Sequence, residues 1–308
     1  MKKLRLALLA GGKSGEREVS LKGAAEVAKA LDPQKYEVKR YDPAADLAKL
    51  AADADSLDAA FILLHGPLGE DGTVQGLLDL LAIPYQGSGV LGSAVAMDKN
   101  LAKILYRNAG LKIPEWYMAV KEDIDNPSKI LGHLGLPLVI KPASQGSSLG
   151  MTVARSQEEI AKGLQKAFAI DTEVMAEEFI SGREITGGVI GNAELTPLPL
   201  VEIIPGEEFE FFDYEAKYQP GATQEICPAE LEESLTIRAQ NCALTAHRAL
   251  QLKGYSRTDM IISNDDIYVL ETNTIPGMTP TSLLPQAAAA AGLDFSALLD
   301  RLIELALE

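Results

Sequence analysis

The chain has 308 residues, 47% of them hydrophobic, which is enough apolar material for two or three ordinary domains and argues against wholesale disorder. Its 44 acidic side chains against 28 basic ones give a formal net charge of −16, so polyanions are repelled and nucleic-acid binding is disfavoured. Two cysteines without CxxC spacing and three histidines without ligand spacing argue against a disulfide framework or a zinc site, and no apolar run approaches the roughly 18–20 residues of a membrane helix.

Leu4–Ala10 is an apolar run interrupted by Arg5 and ended by Gly11-Gly12, which suits a buried first strand better than a signal peptide. Ser20 is predicted to cap a helix over Leu21–Leu31. Strands follow at Tyr36–Tyr41 and Ala59–Leu64, a helix at Thr73–Leu81, and a short strand at Ile83–Tyr85. This alternation predicts a parallel sheet with crossover helices. The pattern changes near Gly87–Gly92, where a domain boundary is placed, and one long helix is expected over Ser93–Asn108. The strand Leu138–Lys141, a glycine/serine loop, a second strand and the helix Gln157–Phe168 come next. Strand-rich sequence resumes at Glu173, two β runs flank a hairpin-like turn at Asn264-Asp265-Asp266, and an amphipathic helix covers Asp294–Leu307.

Two motifs mislead. Gly12-Lys13-Ser14 resembles the end of a P-loop, but the glycine required five residues earlier is Ala7. Gly87-Ser-Gly89-Val-Leu-Gly92 fits GxGxxG, but no acidic residue about 20 positions on would hold a ribose, so it reads as a turn into a helix.

The chemistry lies elsewhere. In Val139-Ile-Lys141-Pro-Ala-Ser-Gln-Gly146-Ser147-Ser148-Leu-Gly150 a buried strand ends in a lysine before a small-residue loop. Such a loop can surround phosphate oxygens with N–H and hydroxyl donors; a surface loop beside a solvated lysine is the equally open alternative. Arg257-Thr-Asp259 and Glu271-Thr-Asn273 each place two polar groups on one face of a strand. If the strands pair, a carboxylate from each meets the other, a hard oxygen set suited to Mg²⁺ on nucleotide phosphates. Surface salt bridges explain less, because both carboxylates abut apolar runs.

Taken in order, His65-Gly-Pro-Leu-Gly-Glu70-Asp-Gly-Thr-Val-Gln-Gly, Met97-Asp-Lys99, the Lys141 loop, Asp213-Tyr-Glu-Ala-Lys217-Tyr218, Arg257-Thr-Asp259 and Glu271-Thr-Asn273-Thr-Ile-Pro-Gly277-Met-Thr resemble the D-alanine–D-alanine ligases of the ATP-grasp superfamily. The resemblance runs from Gly11 to the C-terminus, and six motifs in the correct order make it specific. It implies an α/β, three-domain ATP-grasp architecture with an N-terminal parallel-sheet (Rossmann-like) domain: residues 1–92 for substrate, 93–181 as the central ATP-grasp domain, and 182–308 as the C-terminal catalytic domain. It implies that Lys99 and Lys141 contact the ATP phosphates, joined by Lys217 from a lid over Gly206–Gln224. Glu177 and Glu184 would be the adenine and ribose contacts, with Phe179 near the base. Asp259, Glu271 and Asn273 would hold two Mg²⁺ or Mn²⁺ ions. Glu16 would bind the ammonium of the first D-alanine, with His65 nearby; Arg257, Gly277 and Ser282 would receive the second; Ser147 and Tyr218 would link to Glu16. Gly187-Gly188 departs from the family pattern, which favours β-branched residues there. The expected reaction joins two D-alanines through an acyl phosphate, in peptidoglycan precursor synthesis. Sister ligases taking D-lactate or D-serine are the alternative, and a non-enzymatic nucleotide-binding regulator fits less well because phosphate, metal and acceptor motifs are all intact. A cytoplasmic homodimer, with no nucleic-acid or membrane partner, completes the expectation.

Overall fold

The computed structural model describes residues 2–146, 149–206 and 223–308. Ser147, Lys217 and Tyr218, and most of the expected lid, lie outside the described residues.

The first strand, β1 (Leu4–Leu9), is the centre of a three-stranded parallel sheet, between β2 (Tyr36–Tyr41) and β3 (Ala59–Ile62). Strands covered on both faces read as unbroken apolar runs, and Leu6 to Leu9 and Phe61 to Leu63 are fully buried. Arg5 does not break the run, because its guanidinium grips Asp58 at 2.7 and 3.0 Å just before the start of β3. Helix α1 (Arg17–Ala30) starts earlier than the predicted cap at Ser20. Glu16 takes the N-cap position, while the Ser20 hydroxyl is buried and accepts the Gly11 N–H at 2.8 Å. The glycine turn has captured the group that would have capped the helix. Helices α2 (Leu47–Asp53) and α3 (Thr73–Leu80) follow. Ile83–Tyr85 is not a strand: it contributes one isolated bridge, Tyr85 to Ala60, because Pro84 has no N–H to extend a ladder.

The long helix expected over Ser93–Asn108 is two helices, α4 (Val90–Met97) and α5 (Lys99–Asn108). Asp98 is extended at ψ 99° and accepts the Leu101 N–H, so the chain is re-capped and Lys99 becomes the first residue of a new helix. The central sheet is antiparallel in the order β4 (Trp116–Ala119), β7 (Val174–Glu178), β5 (Leu138–Pro142), β6 (Thr152–Ala154). Helix α6 (Ser128–His133) and helix α7 (Gln157–Phe168) complete this layer. Ile160, Leu164 and Ala167 of α7 share a core with Leu138, Ile140 and Ala176.

The third sheet is antiparallel, with β11 (Thr223–Ile226), β10 (Val201–Pro205), β8 (Arg183–Gly191), β12 (Gly254–Ser263) and β13 (Asp266–Asn273) in that order and β9 (Thr196–Pro197) against β8. The hairpin between β12 and β13 turns on Asn264 and Asp265 at φ 48° and 66°, the two-residue turn that matches strand twist and that Asn and Asp tolerate best. Helix α8 (Glu233–Ala249) covers one face of β8, where a Cβ on Gly187 would lie 3.0 Å from Ala243, and the segment after β9 crowds the other, where a Cβ on Gly188 would lie 2.9 Å from Leu198; together they explain Gly187-Gly188. Helices α9 (Leu283–Ala290) and α10 (Phe295–Ala306) return to the first sheet, where Leu298 and Leu302 join Leu6, Leu8 and Phe61 in one core.

Candidate active site

Two neighbouring clefts lie where the three sheets meet. The first opens between the central and third sheets. On β5, Leu138, Ile140 and Pro142 point into the core, so the intervening Val139 and Lys141 face the cleft. Glu177 lies opposite Val139 on β7, and Phe179 follows it at the rim. Lys141 Nζ donates to Glu177 Oε2 at 2.5 Å, while Lys103 pairs with Oε1. Burial disfavours charge on Glu177, yet the two ammonium groups hold its carboxyl below the usual glutamate range. Burial likewise opposes the charge on Lys141, and Glu177 and Glu271 more than offset it, so its pKa is raised. Lys99, the first residue of α5, donates to the Gln145 carbonyl at 2.7 Å and lies 3.4 Å from Glu271 Oε2. Glu184 lines the same cleft from β8.

The two carboxylates anticipated on the hairpin do meet. Asp259 of β12 is directly opposite Glu271 of β13, and both line this cleft. Register shifts immediately afterwards, so the bulge re-aims the strand just beyond the pair. Arg257 clamps Asp259 through Nε at 2.9 Å and Nη2 at 2.7 Å. Thr186 donates to Asp259 Oδ1 at 2.7 Å, and Asn273 donates through Nδ2 at 3.1 Å, which leaves the Asn273 amide oxygen turned elsewhere. The two facing carboxylates are hard oxygen donors that in kind fit Mg²⁺ or Mn²⁺, and a turn of the Asn273 amide would bring its oxygen to join them.

The second cleft is lined by Glu16, His65, Glu70, Arg257, Asn273, Gly277 and Ser282. Two loops converge on Glu16. A Cβ on Gly66, which has φ +70°, would lie 2.8 Å from Glu16 Oε2, and one on Gly146 would lie 3.0 Å away. Only glycines allow the carboxylate this close to both backbones. His65 is buried, and burial pushes its pKa down against the pull of Glu16, which favours the neutral ring. Ser282 is the N-cap of α9, and Gly277 abuts it: a Cβ there would be 3.1 Å from Ser282 Oγ. An N-cap leaves helix N–H groups facing the cleft, a favourable place for a carboxylate.

The two clefts therefore gather thirteen of the residues singled out by the sequence: Lys99, Lys141, Glu177, Phe179, Glu184, Asp259 and Glu271 in the first, and Glu16, His65, Arg257, Asn273, Gly277 and Ser282 in the second. Two further residues had no role assigned by sequence. Glu70 bridges two loops, accepting the Gly66 N–H at 2.7 Å and the Ile275 N–H at 3.3 Å. Burial, and then Glu16, raises its pKa to about 8. It stood within the His65 motif, beside Asp71, and an acidic pair in a loop reads as solvated. Lys103 stands one turn after Lys99, a spacing that alone resembles any solvated helix face.

Two family models match the chain: D-ala D-ala ligase C-terminus over residues 105–304 and D-ala D-ala ligase N-terminus over residues 39–88. The chain is 58% identical to the D-alanine–D-alanine ligase of Syntrophobacter fumaroxidans, covering 99% of this chain and 98% of that one. It is also 58% identical to the enzyme of that name from Desulfotalea psychrophila, covering 99% and 96%. Among solved structures it resembles D-alanine–D-alanine ligase from Bacillus anthracis complexed with ATP, with a TM-score of 0.85 at 36% identity over 99% of this chain and 97% of that one. The VanG D-Ala:D-Ser ligase from Enterococcus faecalis is similar too, with a TM-score of 0.85 at 32% identity over 99% and 100%.

Proposed function

The chain belongs to the D-alanine–D-alanine ligase family, and from that premise we propose that it joins two D-alanines at the expense of ATP, the first cleft taking the nucleotide and the second the amino acids. One observation carries the reading: Arg257 and Asp259 are bonded neighbours on β12, yet Asp259 faces the first cleft and Arg257 the second. A phosphoryl group held in one cleft is thereby brought beside a carboxylate held in the other. Such alignment removes much of the entropic barrier to a two-substrate reaction.

Glu16 receives the ammonium of the first D-alanine and directs its carboxylate toward the γ-phosphate. A carboxylate oxygen attacks phosphorus, the bond to ADP breaks, and an acyl phosphate results. Lys99, Lys141 and Lys217 neutralise the phosphate oxygens, Glu177, Phe179 and Glu184 seat the nucleoside, and Asp259, Glu271 and Asn273 would hold Mg²⁺ or Mn²⁺, two ions. The metal, when bound, supplies further charge neutralisation at the phosphates. The second D-alanine places its carboxylate at Ser282, Gly277 and the N-terminus of α9. Its amine, once it has lost a proton, attacks the acyl carbon, and inorganic phosphate leaves. Arg257 faces the negative oxygen that develops there. Ser147 and Tyr218, linked to Glu16, shape the wall beside the entering amine, and the segment around 206–224 keeps water from the acyl phosphate. We also assign residues 1–92, 93–181 and 182–308 as the three domains. A homodimer in the cytoplasm serving peptidoglycan synthesis is the setting this activity suits. No helix among the described residues is long and apolar enough to cross a membrane.

The likeness to a D-Ala:D-Ser ligase keeps D-serine, and with it D-lactate, as the second reading of the acceptor. Mass spectrometry of products formed with ATP and D-alanine, D-serine and D-lactate in competition tests both. D-alanyl-D-alanine as the dominant product is expected. A dominant ester or mixed dipeptide would overturn the acceptor assignment, and ATP-independent product would overturn the mechanism.

A further inference from the structure

Among the described residues Lys103 is one of the most deeply buried charged side chains, at 1% exposure, and it does not line the nucleotide cleft. It leaves the same face of α5 as Lys99, one turn on. Its Nζ pairs with Glu177 Oε1, donates to the Pro114 carbonyl at 3.2 Å and lies 5.5 Å from the centre of the Trp116 ring. The other oxygen of Glu177 is held by Lys141 at 2.5 Å, and both Glu177 and Lys141 do line the cleft. A lysine this deep carries a large desolvation cost, which favours an apolar residue unless the charge is needed where it stands.

We propose that Lys103 is a positioning residue for the nucleotide: by neutralising Glu177 from behind, it leaves the charge of Lys141 available to the phosphates. The reasoning is one of charge balance. Burial draws the pKa of Lys103 down and Glu177, in contact with its Nζ, draws it back up; with Lys103 in its ammonium form, two positive charges around one carboxylate leave the cluster with a surplus positive charge. Without Lys103, Lys141 and Glu177 cancel, and a phosphate approaching Lys141 meets a neutral pair whose carboxylate competes for the same ammonium. Removing a full unit charge at this range, in surroundings far less screening than water, weakens phosphate binding by about tenfold or more. The adenosine portion, which carries no charge, is nearly indifferent.

The inference rests on the nucleotide-site reading of Lys141, and calorimetry with ADP and with adenosine separates the two. Lys103→Met weakens ADP binding by about tenfold or more and adenosine binding by less than about twofold, with the KM for D-alanine unmoved. Lys103→Arg, which keeps the charge, stays within about threefold of the wild type for ADP. In a Glu177→Gln background, where no carboxylate remains to be neutralised, adding Lys103→Met costs less than about twofold more. Unchanged ADP affinity in folded Lys103→Met overturns the proposal. So do equal losses for ADP and adenosine, which would mark general loosening, and so does a full loss persisting beside Glu177→Gln. If Lys103→Met does not fold, the double variant, which removes both buried charges together, and Lys103→Arg decide the matter by the same ADP criteria. Lys141→Met is the control: unchanged ADP affinity there fails the nucleotide-site reading itself, whereas a loss there beside an unaffected Lys103→Met fails only the role of Lys103.

Discussion

Glu70→Gln is the perturbation whose consequences the structure defines most closely. Glu70 accepts one N–H from Gly66 and one from Ile275, tying the His65 loop to the loop after β13. Burial, and then the charge of Glu16, raises its pKa from the ordinary 4.5 to about 8. The folded chain thus holds this proton more tightly than the unfolded chain. Its contribution to stability is complete below the unfolded carboxyl value and is lost as pH climbs through about 8. At about 1.4 kcal/mol per pKa unit the loss has a ceiling of roughly 4–5 kcal/mol, which relaxation of the site would reduce. Glutamine cannot ionise, so the variant loses nothing over this range. It keeps one acceptor oxygen, which would stay with Gly66, the shorter bond, and forfeits the bond to Ile275 at a cost of about 1 kcal/mol. The two stability curves therefore cross. Melting temperatures of both proteins at half-unit steps from pH 5 to pH 9 check this. The wild type is expected to be the more stable at pH 5 and the less stable at pH 9. At about 2–4 °C per kcal/mol for a chain of this order, the difference changes by several degrees. Parallel curves would refute the reasoning, because they would mean that Glu70 is ionised in the folded chain at every pH tested.

Glu271→Gln should lower turnover by roughly two orders of magnitude or more, as loss of a contact to developing charge does, with melting temperature nearly unchanged; near-normal phosphate release at ordinary Mg²⁺ would sink the metal-ligand role. Tyr218→Phe deletes the hydroxyl proposed to favour the amine acceptor, so the variant should gain D-alanyl-D-lactate near or below neutral pH, and competition assays giving an unchanged peptide-to-ester ratio would remove that selective role. His247 is 1% exposed and bonded to Ser256 at 2.8 Å. Burial pushes its pKa down to about 4. The unfolded chain takes up this proton first, so stability present above about 6.5 is lost as pH falls toward 4, by at most about 3 kcal/mol. Urea midpoints of His247→Asn should be flatter than the wild type across this window, and an identical slope would contradict the assignment.

Much of the site was legible in the sequence because its chemistry is carried by short motifs. A strand dictates that residues two apart share a face, so the Arg257/Asp259 and Glu271/Asn273 pairings could be read directly, and Asn264-Asp265 announced the turn that brings the two strands together. β1 and the helix over Gln157–Phe168 were readable for the same reason: apolar periodicity is local. Misreadings arose where a local signal had two possible partners. Ser20 has the chemistry of a cap, but the Gly11 N–H claimed it, and Asp98 re-capped a helix whose apolar pattern runs on without interruption. Lys103 and Glu70 show the remaining limit. Charge on a helix or in a loop is usually solvated, and although Gly66 lies four residues from Glu70, nothing local reveals the carboxylate that meets Lys103 or the Ile275 N–H that meets Glu70. Lys103 finds Glu177 74 residues along the chain, and Glu70 finds Ile275 205 residues along. The sequence by itself determined which groups were present and which of them shared a strand face. Tertiary packing alone decided which were buried together, because desolvation and charge pairing depend on neighbours that the chain brings in from far away.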